Sequence, residues 1–324
     1  MTRPTASPTD RWAPALWGGL AVGVGCVAAV LAGGLATTAL PVLLGATLTR
    51  TGMDVAGVAC VGVALLGVLL PLGPGPGARE LTRLAHTVDR ALVGLAGAWL
   101  VLTLLGVVFR TAEAYGRPVT GVGAVELARF AGDFGAGRGL LLTAGCTAAV
   151  LVCGVVRLRD PDRIQLRIPL VAALLGLLTP TVTGHAGTES DHELAVITVA
   201  LHVGGASLWV GGLGATLLLV RRRELLDVAV PRFSRLAGVC IVAVGITGVA
   251  NAALRLESPS ALFTTGYGWL IVAKTVCIAG LGGLGWLARN RLMTGRTPVL
   301  RWAGAEVALM AVTLGLAAAL TQSG

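Results

Sequence analysis

The sequence predicts an all-helical, polytopic transmembrane bundle. Three observations carry that prediction: 55% of the 324 residues are apolar, only 13% are charged, and apolar runs of about twenty residues recur from Trp12 to Leu320. A hydrocarbon core of roughly 30 Å is crossed by about 20 apolar residues in helical geometry, so each run is long enough to span it. The same composition excludes intrinsic disorder, a collagen-like chain and a secreted disulfide scaffold.

Nine spans follow, at 12–38, 54–72, 86–109, 138–156, 165–183, 192–220, 233–254, 267–288 and 300–320. The first follows Arg3 and Arg11 and so resembles a signal peptide. Its apolar run is longer than the usual stretch of about 7–15 residues, and it is read as an uncleaved anchor. The run continues past Pro41 to Leu48, where a tilted helix end, a re-entrant stretch and an outer loop are all compatible with the residues. Four spans fall in a first part, residues 1–160, and five in a second, residues 161–324. Between the third and fourth spans, residues 125–134 have the pattern of an interfacial amphipathic helix, and equally of a solvated loop.

Arginines between the spans set the orientation, because basic loop residues are retained on the cytoplasmic side. Segments 79–90, 157–167, 221–235 and 289–301 hold three, four, five and four arginines, and Arg3 and Arg11 precede the first span. Segment 183–192 holds none and 255–267 holds one. Nine spans with the N terminus inside and the C terminus outside satisfy both sets. The 110–138 segment disagrees: it carries Arg110, Arg117, Arg129 and Arg138, yet falls outside.

The net charge of +9 is therefore a topology signal, with no aromatic-interleaved basic patch for nucleic acid. The six cysteines, Cys26, Cys60, Cys146, Cys153, Cys240 and Cys277, all fall within spans and form no C-x-x-C pair. Cys146 and Cys153, seven apart, share a helix face, where small thiols pack much as alanine does. Without a phosphate-binding loop, a nucleophile elbow or an H-E-x-x-H pair, the expectation is a protein that is not an enzyme and does not hydrolyse ATP.

Chemistry is then left to polar groups placed where hydrocarbon penalises them. The segment Thr179 to Glu193 carries His185, His192 and three carboxylates through the arginine-free outer loop, a donor set suited to an oxidised divalent ion. Asp191 is equally a helix cap. His202 lies ten residues past His192, about 15 Å deeper along a continuous helix, so the two could serve as successive stations but not hold one ion. The glycines of Trp209-Val210-Gly211-Gly212-Leu213-Gly214 admit close approach of another backbone. Lys274 and Glu306 are deep charges that need partners, and Asn251 and Met310 are further intramembrane candidates.

Taken in order, Gly184-His185, Leu201-His202, Leu208-Trp209-Val210-Gly211-Gly212-Leu213, Arg232-Phe233-Ser234-Arg235-Leu236-Ala237, Thr247-Gly248-Val249 with Asn251, Tyr267-Gly268 with Lys274, Asn290-Arg291 and Glu306 resemble the copper resistance D (CopD/PcoD) family of bacterial inner-membrane proteins. The resemblance covers residues 180–320; the first 160 match only as generic additional spans. It implies a polytopic plasma-membrane protein that moves copper, as Cu(II) or Cu(I), often with a periplasmic copper-binding partner of the CopC type. It also implies that His185 and His202, with His192 as a weaker member, are copper ligands, and that Asn251, Lys274 and Glu306 are the family's intramembrane polar positions. A thioether relay does not fit, since beyond Met1 the chain has only Met53, Met293 and Met310.

The resulting expectation is copper uptake and resistance: copper received at the outer face by His185 and His192 and passed to His202, within membrane lipid and without nucleic acid. The alternative is a membrane protein that binds copper and delivers it for oxidase assembly without transporting it. A haem-binding redox protein is disfavoured, because only His202 lies deep and a second axial ligand is missing from the pattern.

Overall fold

In a computed structural model of the chain, residues 39–70, 78–182 and 192–255 are described, with scattered positions between 19 and 27 and between 260 and 283. All regular structure among the described residues is helical: α1 (Leu40–Leu69), α2 (Ala78–Ala114), α3 (Ala124–Asp133), α4 (Gly135–Arg159), α5 (Arg167–Val182), α6 (His192–Leu219) and α7 (Arg223–Arg255), with a 3-10 turn at Val119–Gly121 and a single helical turn at Ala261–Thr264. Five of these, α1, α2, α4, α6 and α7, are long and apolar enough to cross a membrane. Helix is the form such segments must take, since it satisfies every backbone polar group within the segment. The expected span at 300–320 lies outside the described residues, as does 12–38 apart from scattered positions. Within 267–288 an apolar helical stretch runs over Ile271–Leu281.

The chain forms two compact units, residues 56–257 and residues 1–55 with 258–324. In the second of these, the run at Pro41 to Leu48 is the start of α1, so it belongs to the expected second span and does not extend the first. Pro41 sits in the first turn, where a missing N–H costs nothing. The hydroxyls of Thr47 and Thr49 donate to the carbonyls of Leu43 and Gly45, each at 2.8 Å. Arg50 Nε pairs with Asp54 Oδ2 one turn on at 3.2 Å, so each charge meets its opposite on its own helix.

In the unit of residues 56–257, helices run beyond the apolar spans. The 221–235 segment, expected as an inner loop, is helical from Arg223 onward and carries Pro231 inside α7. Arginine, glutamate and leucine favour helix as strongly as lipid-facing residues do, so the helix continues where hydropathy ends. Arg232 Nη1 donates to the Leu69 carbonyl at 2.8 Å, placing a cation on the last turn of α1.

The 110–138 segment is ordered by its own arginines. Arg110 pairs with Glu113 at 2.8 Å and Arg117 with Glu126 at 2.7 Å. Glu126 Oε2 also accepts the Gly123 N–H at 2.9 Å at the start of α3. Arg138 Nε donates to the Gly132 carbonyl at 2.7 Å, closing the C-terminal end of α3. Phe130 is the buried residue of α3, and it stacks on Phe134 with ring centroids 5.4 Å apart. The segment is thus a short amphipathic helix folded against the start of α4, where a Cβ at Gly137 would strike the Phe130 carbonyl.

Glycines set the closest helix crossing. A Cβ on Gly62 of α1 would run into the Gly211 carbonyl of α6, and one on Gly211 would meet the Val58 carbonyl. The expected role of the Gly211-Gly212 pair in close packing is therefore observed. Trp99 of α2 fills the hollow beside it, with a Cβ at Gly57 only 2.9 Å from its ring and one at Gly176 only 3.0 Å. Because the obstacle at Gly211 is backbone, Gly211→Val should cost toward the upper end of the roughly 1–3 kcal/mol of overpacking. The check is the thermal midpoint of detergent-solubilised protein, and a midpoint equal to the parent's would remove the crossing as a constraint.

The outer faces are apolar. On α7, Val239, Val242, Ile246 and Val249 are exposed at helical spacing, whereas Cys240, Val244 and Thr247 between them are buried. On α6, Leu194, Ile197 and Leu201 are likewise exposed. Hydrocarbon outside and hydroxyls inside is the distribution of a protein whose solvent is lipid.

Candidate functional site

Helices α6 and α7 are joined by the short connection Val220 to Arg222 and run antiparallel. Their seam pairs residues in fixed register. Thr198 Oγ1 lies 2.9 Å from Asn251 Oδ1, and four residues along α6 His202 Nδ1 lies 3.1 Å from Thr247 Oγ1, four residues back along α7. Beyond that rung Gly205 faces Cys240 and Val244. The imidazole lies over Gly248, where a Cβ would stand 3.4 Å from Cε1. A larger residue at 248 would press on the ring, so the Thr247-Gly248 step supplies both a polar partner and the space.

The hydroxyl of Thr247 lies against one ring nitrogen of His202. Thr247 has one hydroxyl proton, and the Ala243 carbonyl stands 2.6 Å from its oxygen, the nearest acceptor. With that proton turned to Ala243, the Thr247 oxygen can accept from the imidazole in its Nδ1–H tautomer. A metal-ligating histidine is commonly held in place by a hydrogen bond at one of its ring nitrogens. Thr198 also donates back along its helix, to the Leu194 carbonyl at 2.8 Å. It shares its proton between that carbonyl and Asn251.

Of the residues singled out from the sequence, His202 and Asn251 are thus brought onto one seam, on adjacent rungs. His192 begins α6, and the unbroken helix sets it ten residues from His202, about 15 Å of rise. The two therefore do not share an ion. The side chain of His192 lies outside the described residues, as do His185, Lys274, Glu306 and Met310. Among the described residues no three of His, Cys, Asp and Glu gather as a metal site. Cys153 is buried where Gly154 packs against Val93 of α2, and Cys146 is half-buried beside Gly176 of α5, so the shared face of these thiols is a packing face.

Sequence reading missed Thr198, and it quoted Thr247 only within the family resemblance and not as a candidate site residue. The available signal was spacing, since Thr198 and His202 are four apart on one helix and Thr247 and Asn251 four apart on the next. It also missed Asp89, whose Oδ1 accepts from Arg157 Nε at 2.7 Å with both side chains buried. The signal there was a carboxylate inside an apolar run.

Residues 42–195 match the family model for the N-terminal domain of copper resistance protein D-like proteins, and residues 227–320 match that for copper resistance protein D. The chain is 30% identical over 162 residues to the copper transport protein CutJ of Bacillus subtilis (strain 168), an alignment covering 47% of this chain and 30% of that protein. The chain therefore spans under a third of the length of this curated relative. No solved structure matches. The N-terminal match extends the likeness across helices α1 to α5, a region that by residue pattern alone held only generic spans.

Proposed function

Because the chain belongs to the copper resistance protein D family, we propose that this membrane copper-handling protein carries copper inward across the bacterial cytoplasmic membrane, serving copper homeostasis and resistance. The observation that carries the proposal is the His202–Thr247 pair, which sets an imidazole against a hydroxyl in the seam of two membrane-length helices. Imidazole is a competent ligand for copper, and lipid on the outer faces leaves the helix seams as the polar route.

In this reading the bundle has nine spans with the N terminus inside, and the first four and last five form its two parts. The 183–192 segment faces outward, so His185 and His192 receive the ion, from a CopC-like periplasmic protein where one is present, and His202 takes it near the middle of the bundle. Copper, as Cu(II) or Cu(I), is the substrate. Flux is driven by its gradient, by the membrane potential or by protons, with Glu306, Lys274, Asn251 and Met310 as the intramembrane groups along the path.

The deciding measurement is copper uptake, detected by mass or radiolabel, into sealed vesicles containing the purified protein. Accumulation above protein-free vesicles supports transport. Binding without accumulation assigns the chain instead to copper delivery, as for oxidase assembly. Thr247 is a positioning residue in this scheme. Thr247→Val should weaken copper affinity by about 10–100-fold, the usual effect of losing the group that orients a ligating histidine, whereas Thr247→Ser should restore it. Equal affinity in both variants would separate Thr247 from the metal.

A further inference from the structure

A cavity of about 340 Å³ opens between the first turns of α2, the last turn of α6 and the first turn of α7. Its lining includes Arg83, Arg221, Arg222 and Thr87 beside Leu84 and Leu219. Arg83 and Arg221 are exposed and take part in no ion pair among the described residues. The guanidinium groups of Arg83 and Arg221 share one cleft and repel one another, and an anion between them relieves that repulsion. Guanidinium forks match phosphate oxygens two at a time. The start of α7 adds to this, since its first intrahelical bond runs from Leu226 N to Arg222 O and the N–H groups before it have no carbonyl on the helix to reach. Glu224, in the same turn, is exposed and does not line the cavity.

Half of the wall is apolar, and that decides the source of the phosphate. Leu84 is buried in α2, and Leu219 ends a membrane-length helix, so the leucines belong to the apolar spans and the arginines stand at their ends. Free phosphate would leave the leucine wall unused. We propose that this cavity binds the headgroup of an anionic phospholipid, with its phosphate among Arg83, Arg221 and Arg222 and its first methylenes against Leu84 and Leu219. The lipid then joins α2 to the α6–α7 hairpin that carries His202. The site stands whichever ion the bundle handles, because no residue of the α6–α7 seam takes part.

The test is native mass spectrometry of the detergent-solubilised full chain titrated with phosphatidylglycerol or phosphatidylcholine, with and without millimolar inorganic phosphate. The parent protein should retain phosphatidylglycerol in preference to phosphatidylcholine, and phosphate should not displace it. Substituting Arg83→Gln with Arg221→Gln should weaken retention about thirtyfold, at roughly fivefold per arginine near a headgroup. Arg159→Gln with Arg163→Gln removes the same charge from exposed positions outside the cavity and should leave retention at the parent level. The proposal is overturned by equal retention of the two lipids, by an equal response of the two double variants, or by displacement with inorganic phosphate.

Discussion

His202→Ala should abolish copper accumulation in vesicles containing the purified protein, down to the level of protein-free vesicles, while the protein still folds and inserts. The ring is half-buried and its Nδ1 bond to Thr247 is 3.1 Å long. Such side-chain bonds between membrane helices average about 0.6 kcal/mol, so their loss is a small fraction of the stability of a bundle. As the proposed copper ligand, the imidazole is worth more. A residue that merely orients a metal ligand carries about 10–100-fold in affinity, and removing the ligating nitrogen itself exceeds that. Thr198→Val is the matched control, since it takes a polar group from the same seam, one rung away, and keeps the imidazole. Its uptake should stay near the parent's. Undiminished accumulation by His202→Ala would take the seam out of the copper path.

The helical class was legible because hydrocarbon leaves a backbone few options, but helix ends were not. Apolar runs mark the part of a helix that touches lipid, whereas the helix itself ends where capping and propensity stop it. Thus α7 starts at Arg223, ten residues before its apolar run, through a segment whose arginines and acids favour helix. Likewise α1 absorbs Arg50 and Asp54, which interrupt the hydropathy yet pair across one turn. Arginine counts could not place Arg110, Arg117 and Arg138, because each is engaged locally, with Glu113, with Glu126 and with the end of α3.

The site was legible by halves. An imidazole and an amide within apolar helices stand out because burial penalises them, and His202 and Asn251 were marked for that reason. The part played by Thr198 and Thr247 was not legible, since threonine in a helix ordinarily returns its hydroxyl to its own backbone, as Thr47, Thr103 and Thr111 do here. Only the antiparallel register of α6 on α7 turns two such threonines into partners. The glycines at 211 and 212 could be read because a run of them in a membrane helix has one common use, close approach, and Gly62 is the residue that accepts it.

Asp89→Ala should be among the most destabilising single changes in the described bundle, at about 3–5 kcal/mol, the cost of leaving a buried charge without its partner. Asp89 is fully buried in α2, and Arg157, near the end of α4, reaches it at 2.7 Å. The same guanidinium donates through Nη1 to the carbonyls of Pro161 and Ile164, tying down the turn that leads into α5. Leu166, at the end of that turn, packs so closely on Gly67 that no Cβ fits there. The pair therefore joins α2, α4 and the α4–α5 turn, upstream of the segment that carries His185. Asp89 Oδ2 accepts no hydrogen bond among the described residues, so the pair is incompletely satisfied and its net worth is modest although breaking it is costly. A double change, Asp89→Leu with Arg157→Met, should accordingly recover part of the stability lost in Asp89→Ala, since no charge is then left in the interior although the Pro161 and Ile164 carbonyls lose their donor. Thermal midpoints of the three variants in detergent decide the matter. An Asp89→Ala midpoint equal to the parent's, or a double variant no more stable than the single one, would mean that the charge is hydrated in place and that the pair does not fix the helices.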